Sequence, residues 1–297
     1  WRHPTRQAIF VGDLIDRGPD QLGCVRVARA MCEAESARIV LGNHEFNAIA
    51  YATEDPADPR RHLRPGHLDP RPATGAADGD KREKNFKQHR SYLEQVGGFG
   101  SALHRDHIDW FATMPLWLEI AGIRVVHACW HDSSMETVSG HLGDTGALTS
   151  ELLVAATRDG TKEFAAVEIL LKGPEVSLGA DRGYLDKDGH PRTKSRTSWW
   201  AKGATNLRDL ALVPGGVERF GDWPGGQLPE DPVPEHERIT YDGDVPVIVG
   251  HYWATGRPEV WHPKVACVDY SVAKGGELVA YRWSGESVLT DLNFVAV

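Results

Sequence analysis

The run Gly12-Asp13-Leu14-Ile15-Asp16-Arg17-Gly18 places two carboxylates and a guanidinium within one turn, directly after a short apolar stretch. Two more runs share this form. Gly42-Asn43-His44-Glu45 and Gly250-His251 each follow an apolar stretch with residues that can offer a lone pair, and His127 follows Ile123-Arg124-Val125-Val126 in the same way. An aspartate so placed can bridge two cations through its two oxygens, an asparagine carbonyl is a neutral oxygen ligand, and neutral imidazoles supply nitrogen. Asp13, Asn43, His127 and His251 therefore form a mixed nitrogen and oxygen ligand set without thiolate, which suits Mn, Fe or Zn in a reactive site better than a structural zinc cage. The planar fork of Arg17 matches two phosphate oxygens. Asp16 can orient a neighbouring histidine, and His44, one residue beyond Asn43, is left to donate a proton.

Taken singly, each of these has an ordinary reading. Asn and His commonly cap helices, a lone histidine after a strand is often a hydrogen-bonded core residue, and Asp16 with Arg17 suits a surface ion pair. Four strand-end placements together carry the functional reading.

The elements that must hold them alternate. Residues 8–12 and 38–42 read as buried strands closed by glycine, with a helix predicted over 20–35 and another from about His44. This is the pattern of a parallel α/β unit, in which ligands gather beyond the C-terminal ends of strands. Residues 55–80, rich in Pro, Arg, Asp, Gly and Ala, are expected to form a surface insertion, either a lid or a loop without a role. Helices are predicted over 84–96 and 103–113, strands over 116–120 and 123–127, and two helices within 147–171. A hairpin turn is expected at 186–189, a surface loop over 214–234, and late strands at 245–250, 264–268, 278–283 and 288–297.

Composition narrows the partners. The 297 residues are 41% hydrophobic and 25% charged, enough for a substantial core. A net charge of -9 argues against a general nucleic-acid binder, which needs a basic stripe. A small phosphorylated substrate drawn to a metal is compatible with that acidity. The four cysteines, Cys24, Cys32, Cys129 and Cys267, lack paired spacing and read as free thiols in a reducing cytosol. With no long apolar stretch and no signal segment, the expected location is cytoplasmic, with no membrane partner.

GDLIDRG, GNHE, His127 after its strand and the Gly-His pair at 250–251 together resemble the calcineurin-like metallophosphoesterases. The Asp-Arg-Gly form resembles the branch holding phosphoprotein phosphatases and bacterial bis(5′-nucleosyl)-tetraphosphatases. Cys267-Val268-Asp269 with Gly275-Gly276-Glu277-Leu278 also resembles the tetraphosphatases, with Asp269-Tyr270-Ser271 where Asp-Thr-Gly is usual. The resemblance implies one domain over residues 1–297, an α/β fold of four layers in which two mixed β-sheets are flanked by helices. It makes Asp13 the metal bridge and gives Asn43, His127 and His251 to the second metal. His44, backed by Asp16, would protonate the leaving oxygen while Arg17 holds the phosphate. The implied reaction is in-line displacement at phosphorus beside two divalent cations about 3.5–4 Å apart, Mn²⁺ foremost, with Fe or Zn as alternatives.

That family carries an earlier Asp-x-His motif, which has no counterpart here. One reading is a parent protein with a further N-terminal strand and helix, a unit of roughly 30 residues. The other is a site keeping one metal, in a catalytically impaired binding or scaffold protein. For the substrate, Trp199-Trp200 beside Arg196 and Lys202 can stack a purine and hold phosphate, although tandem tryptophans more often serve core or interface packing. Arg192, Lys194 and Arg196 form a basic stretch that reads either as a solvated hairpin tip or as a phosphate contact. Were it and the stacking both to hold, a dinucleoside polyphosphate would fit better than a phosphoprotein, with Arg17 on the phosphate.

Overall fold

The computed structural model describes residues 2–70, 76–120, 122–186 and 189–297. Strands β1 (Ala8–Phe10) and β2 (Ala37–Ile39) pair in parallel, with Phe10 beside Ile39. The crossover between them is α1 (Gln21–Glu33), whose start is fixed by the Asp20 side chain accepting from the Gly23 N–H. It turns Val25, Ala28 and Met31 inward, the three-residue spacing that a helix needs to bury one face.

β2 leads into α2 (Asn43–Ala52), where every residue from Asn43 to Tyr51 is buried. A helix enclosed on all sides must satisfy its polar residues inside the protein. The first-turn residues Asn43, His44 and Glu45 do so in the site described below.

The segment expected as an insertion begins with a hairpin, β3 (Glu54–Asp55) with β4 (Asp58–His62). Asp69 ties it down by accepting from the Gly66 N–H at 2.9 Å and contacting His62 Nδ1 at 2.5 Å. Residues 71–75 of that segment lie outside the described residues. The next helix, α3 (Ala76–Gln95), starts at Ala76 rather than at 84, and it carries Gln88 and His89 back toward Asp16. α4 (Ala102–Phe111) follows, capped by Ser101.

β5 (Trp117–Ile120) and β6 (Ile123–Val126) form an antiparallel pair. The strand Val247–Val249 adds in parallel to β6 and is itself flanked in parallel by Val265–Cys267, giving a mixed four-stranded sheet. α5 (Asp132–Ser139), α6 (Ser150–Ala156) and α7 (Lys162–Lys172) fill the stretch before Glu175, with α5 packed on α7. The α/β class holds. Hydrogen-bonded strands among the described residues divide into six sheets of two to four strands, because late strands pair as short ribbons such as Val279–Tyr281 with Phe294–Ala296.

What positions the site is the apolar layer joining β1–β2 to the four-stranded sheet. Val40, Ile123, Val125, Ile248 and Ala266 are buried together there, with Ile9 and Val11 against them. The Gly250 N–H donates to the His127 carbonyl at 2.9 Å, so the C-terminal ends of β6 and Val247–Val249 finish side by side. All four cysteines are free. No helix among the described residues is long and apolar enough to cross a membrane.

Candidate metal centre

The site begins with two glycines. A Cβ on Gly12 would lie 2.5 Å from the Gly42 Cα, and one on Gly42 would meet the Asp13 backbone nitrogen and Glu45 Oε2. Only bare backbone lets the ends of β1 and β2 come this close, which explains the leading glycine of both runs. Gly12 also has φ +87, and Asp13 and Asp16 follow at φ +61 and +79, a region that L residues rarely adopt. Backbone strain of this kind persists where surrounding bonds fix it.

Those bonds come from the start of α2. The Asp13 N–H donates to Glu45 Oε2 at 2.8 Å and the Leu14 N–H to Glu45 Oε1 at 2.7 Å. In return Asp13 Oδ1 accepts from the His44 N–H at 3.2 Å. Gly42 has no side chain to cap α2, so Asp13 reaches across from the neighbouring strand to serve its first turn. Glu45 is fully buried, and its pKa is pushed up to about 7 by burial first and by the Asp13 charge second.

Asn43, His127 and His251 converge on the same point. His127 Nδ1 donates to the Val11 carbonyl, which assigns the lone pair to Nε2. That nitrogen lies 3.1 Å from Asn43 Oδ1 and 3.4 Å from Asp13 Oδ1. His251 Nδ1 sits 2.8 Å from Asn43 Oδ1 and 3.2 Å from His127 Nε2. Burial, then the charges of Arg196 and His127, pushes the His251 pKa far below its ordinary value, so the ring is neutral. Its Nε2 is buried without a hydrogen-bond partner. Asp13, His127 and His251 each turn a ligand atom to within 4.8 Å of the others. Convergent lone pairs, a carboxylate and an orphaned imidazole nitrogen fit a divalent cation.

Beside this centre stands a proton-handling pair. His44 Nδ1 donates to Asp16 Oδ2 at 2.7 Å, and His89 Nδ1 lies 2.9 Å from Asp16 Oδ1. The Gln88 amide adds a bond to Asp16 Oδ2 at 3.0 Å. Burial alone would raise the Asp16 carboxyl, but the two histidines hold it at about 2. Burial also opposes charge on His44, yet Asp13 and Asp16 carry its pKa above the ordinary value. Arg17 donates to His44 Nε2 at 3.2 Å, and that nitrogen faces Asp13 Oδ2 at 4.0 Å.

A family model for calcineurin-like phosphoesterases matches residues 2–148. The chain belongs to that family. It is a metal-dependent phosphoesterase, a hydrolase. Over 295 residues it is 26% identical to the symmetrical bis(5′-nucleosyl)-tetraphosphatase of Janthinobacterium sp. (strain Marseille), spanning 96% of this chain and 85% of that one. A protein of the same description from Bordetella pertussis is 28% identical over 285 residues, spanning 92% and 80% of the two chains. A third, from Ralstonia nicotianae, is 54% identical over 43 residues, 14% of this chain and 15% of that one.

In this phosphoesterase the sequence-predicted residues Asp13, Asp16, Arg17, Asn43, His44, His127 and His251 meet in one place, and Arg196 joins them near His251. Trp199 and Trp200 do not offer the stacking surface expected of them. Trp199 has no exposed surface and Trp200 is buried, stacked on Trp261 with centroids 4.5 Å apart. Trp199 instead donates its indole N–H to Tyr252 Oη at 2.8 Å. Two aromatic rings flank His251 at the site, Tyr252 at 5.8 Å and Trp253, two residues beyond, at 6.3 Å. Sequence reading also passed over Glu45, Gln88 and His89. The glutamate was visible inside Gly42-Asn43-His44-Glu45, whereas Gln88 and His89 are placed by a helix with no motif of its own.

Proposed function

We propose that this phosphoesterase hydrolyses a phosphoanhydride bond in dinucleoside polyphosphates, using Mn²⁺ in a single domain of the cytoplasm. The observation that carries the reading is the junction of two devices. Asp13, Asn43, His127 and His251 form a ligand cluster, and the His44–Asp16 pair stands 4.0 Å from its carboxylate. The tetraphosphatase names of the relatives favour nucleotide substrates over phosphoproteins.

Asp13, Asn43, His127 and His251 would hold the cations, which when bound supply Lewis acidity toward the phosphoryl oxygens. The protein's own residues account for the rest. Asp16 keeps the His44 ring in the orientation that turns Nε2 to the reacting side, and its charge favours the protonated imidazole. Water adds to phosphorus and gives up a proton to solvent as the bond to the leaving oxygen breaks, and the proton on His44 Nε2 passes to that oxygen. Arg17, which bonds His44 Nε2 in the free protein, is within reach of the phosphate held beside Asp13 and offers it two parallel donors.

The test compares Mn²⁺-dependent turnover of diadenosine tetraphosphate, a phosphopeptide and an aryl phosphate by the wild-type chain. A kcat/KM for the tetraphosphate at least about tenfold above the phosphopeptide is the expected outcome. Preference for the phosphopeptide would replace the substrate assignment, and binding of phosphate without turnover of any of the three would leave a binding protein.

A further inference from the structure

The indole of Trp253 gathers cations from three separate segments. The Lys274 ammonium lies 4.5 Å from its ring centroid, the Arg17 guanidinium 4.6 Å and the Arg196 guanidinium 5.7 Å. Arg17 belongs to the turn after β1, Arg196 ends the strand Lys194–Arg196, and Lys274 ends the short helical turn Val272–Lys274. Three like charges brought to one ring repel one another, and the negative face of the indole offsets part of that repulsion. The ring that gathers them lies beside the ligand cluster of a chain whose net charge is -9.

The ring is held in place by a dedicated joint. Trp253 has φ +51 and Ser271 φ +61, conformations that bulky and β-substituted residues avoid. Both backbones are fixed by Asp269, whose Oδ2 accepts from the Trp253 N–H at 3.2 Å and whose Oδ1 accepts from the Ser271 N–H at 3.0 Å. The Asp269 carbonyl also accepts from the Ala254 N–H at 2.9 Å. Ser271 opens the turn that ends at Lys274, so a single carboxylate sets the position of the aromatic ring and of one of its cations. A Cβ on Gly276 would collide with the Tyr270 carbonyl, which accounts for the second glycine after that turn.

The geometry points to Trp253 as a positioning residue that assembles Arg17, Arg196 and Lys274 into a clamp for a chain of phosphates. A single phosphate beside Asp13 is within reach of Arg17. Arg196 and Lys274, on the same ring, supply charge for phosphates further along the chain. A phosphomonoester has nothing there to engage. The ligand class is thus an oligophosphate chain, whatever its end groups. The inference rests on the phosphoesterase reading above and sharpens its substrate.

The experiment uses the Mn²⁺-loaded protein with free Mn²⁺ buffered, and reads two quantities. The first is the kcat and KM for diadenosine tetraphosphate and for an aryl phosphate; the second is inhibition of aryl phosphate turnover by inorganic phosphate and by tripolyphosphate. Wild type should bind tripolyphosphate more tightly than phosphate. Trp253→Leu should raise the tetraphosphate KM about tenfold with kcat little changed, and should narrow the tripolyphosphate preference in step. Trp253→Phe, which keeps an aromatic face, should recover most of both. Lys274→Gln should give a smaller rise in KM and a weaker salt dependence. An equal loss on aryl phosphate and tetraphosphate in Trp253→Leu would assign the ring a structural role and overturn the clamp. So would a wild type that binds tripolyphosphate no better than phosphate. Wild type that binds tripolyphosphate tightly yet leaves the dinucleotide uncleaved would keep the clamp and remove the dinucleoside substrate.

Discussion

Asp13 belongs to the ligand cluster and Trp253 lies beside it, and each is held in a left-handed backbone conformation by a carboxylate elsewhere in the chain. Glu45 does this for Asp13 from inside a fully buried helix, with no exposure to solvent. Asp269 does it for Trp253 from a half-buried loop, beside an exposed turn that carries Lys274. The buried side orders atoms that must meet a metal and a transferred proton. The looser side orders charges that need only face a chain of phosphates. Damage to the first should therefore appear in the chemical step, and damage to the second in substrate affinity.

The strongest way to break that contrast is at Asp13. Asp13→Asn keeps the shape but removes the charge that faces both the ligand cluster and His44. Activity should fall by roughly a thousandfold or more on every substrate, because several kcal/mol of charge stabilisation at phosphorus goes with it. Retained aryl phosphatase activity in this variant would move the centre elsewhere. Next in size is His44→Asn, expected to lower kcat about a hundredfold for phenyl phosphate. The loss should be smaller for nitrophenyl phosphate, whose leaving oxygen needs less help. Equal losses on the two esters would remove the proton-donor role.

Glu45→Gln tests the buried joint itself. The amide keeps one acceptor for two backbone donors, so one of the bonds from Asp13 and Leu14 is lost in a dry environment. Stability should drop by about 1–3 kcal/mol, read by urea unfolding, with kcat falling alongside it. A variant that lost affinity but kept kcat would dissolve the distinction between the two sides.

The smallest effect lies away from both. Burial lowers the His104 pKa to about 4, and its Nδ1 accepts from the Gly100 N–H at 3.2 Å, a bond that needs the neutral ring. The unfolded chain binds that proton near its ordinary pKa of about 6.5, so between the two values the unfolded state holds more protons. The stability this residue contributes is complete above about pH 6.5 and is lost as pH falls toward 4. The slope of Tm against pH across that window should be shallower in His104→Gln, and an unchanged slope would assign the acid sensitivity to other groups.

The buried side was the legible one. Its ligands follow short apolar strands, closed by glycine at 12, 42 and 250, a local signal that specifies where each side chain emerges, and the α/β pattern then brings those strand ends together. The surroundings of Trp253 were not legible for two reasons. Trp253 and Ser271 adopt backbone conformations that residue preference argues against. The ring's cations come from positions 17, 196 and 274, which no window of sequence contains together. Trp199 and Trp200 misled in the opposite direction. Neighbouring Arg196 made them look like a ligand face, whereas Tyr241, Tyr252 and Trp261 arrive from far along the chain to enclose them. The early start of α3 escaped because its first ten residues hold no apolar side chain larger than alanine and carry a glycine, so hydrophobic periodicity begins only later in the helix.

The contact between Gly12 and Gly42 has a consequence for how this centre can vary by inheritance. Because the two backbones touch where the ligands emerge, the separation of Asp13 from Asn43 is set by the packing of β1 on β2. A side chain at either glycine would force the strands apart and press on a ligand residue at once, Asp13 from Gly42 and His127 from Gly12. Selection for a sound strand pair and selection for a working centre therefore act on the same two positions, and variation that tunes substrate choice is left to the surroundings of Trp253.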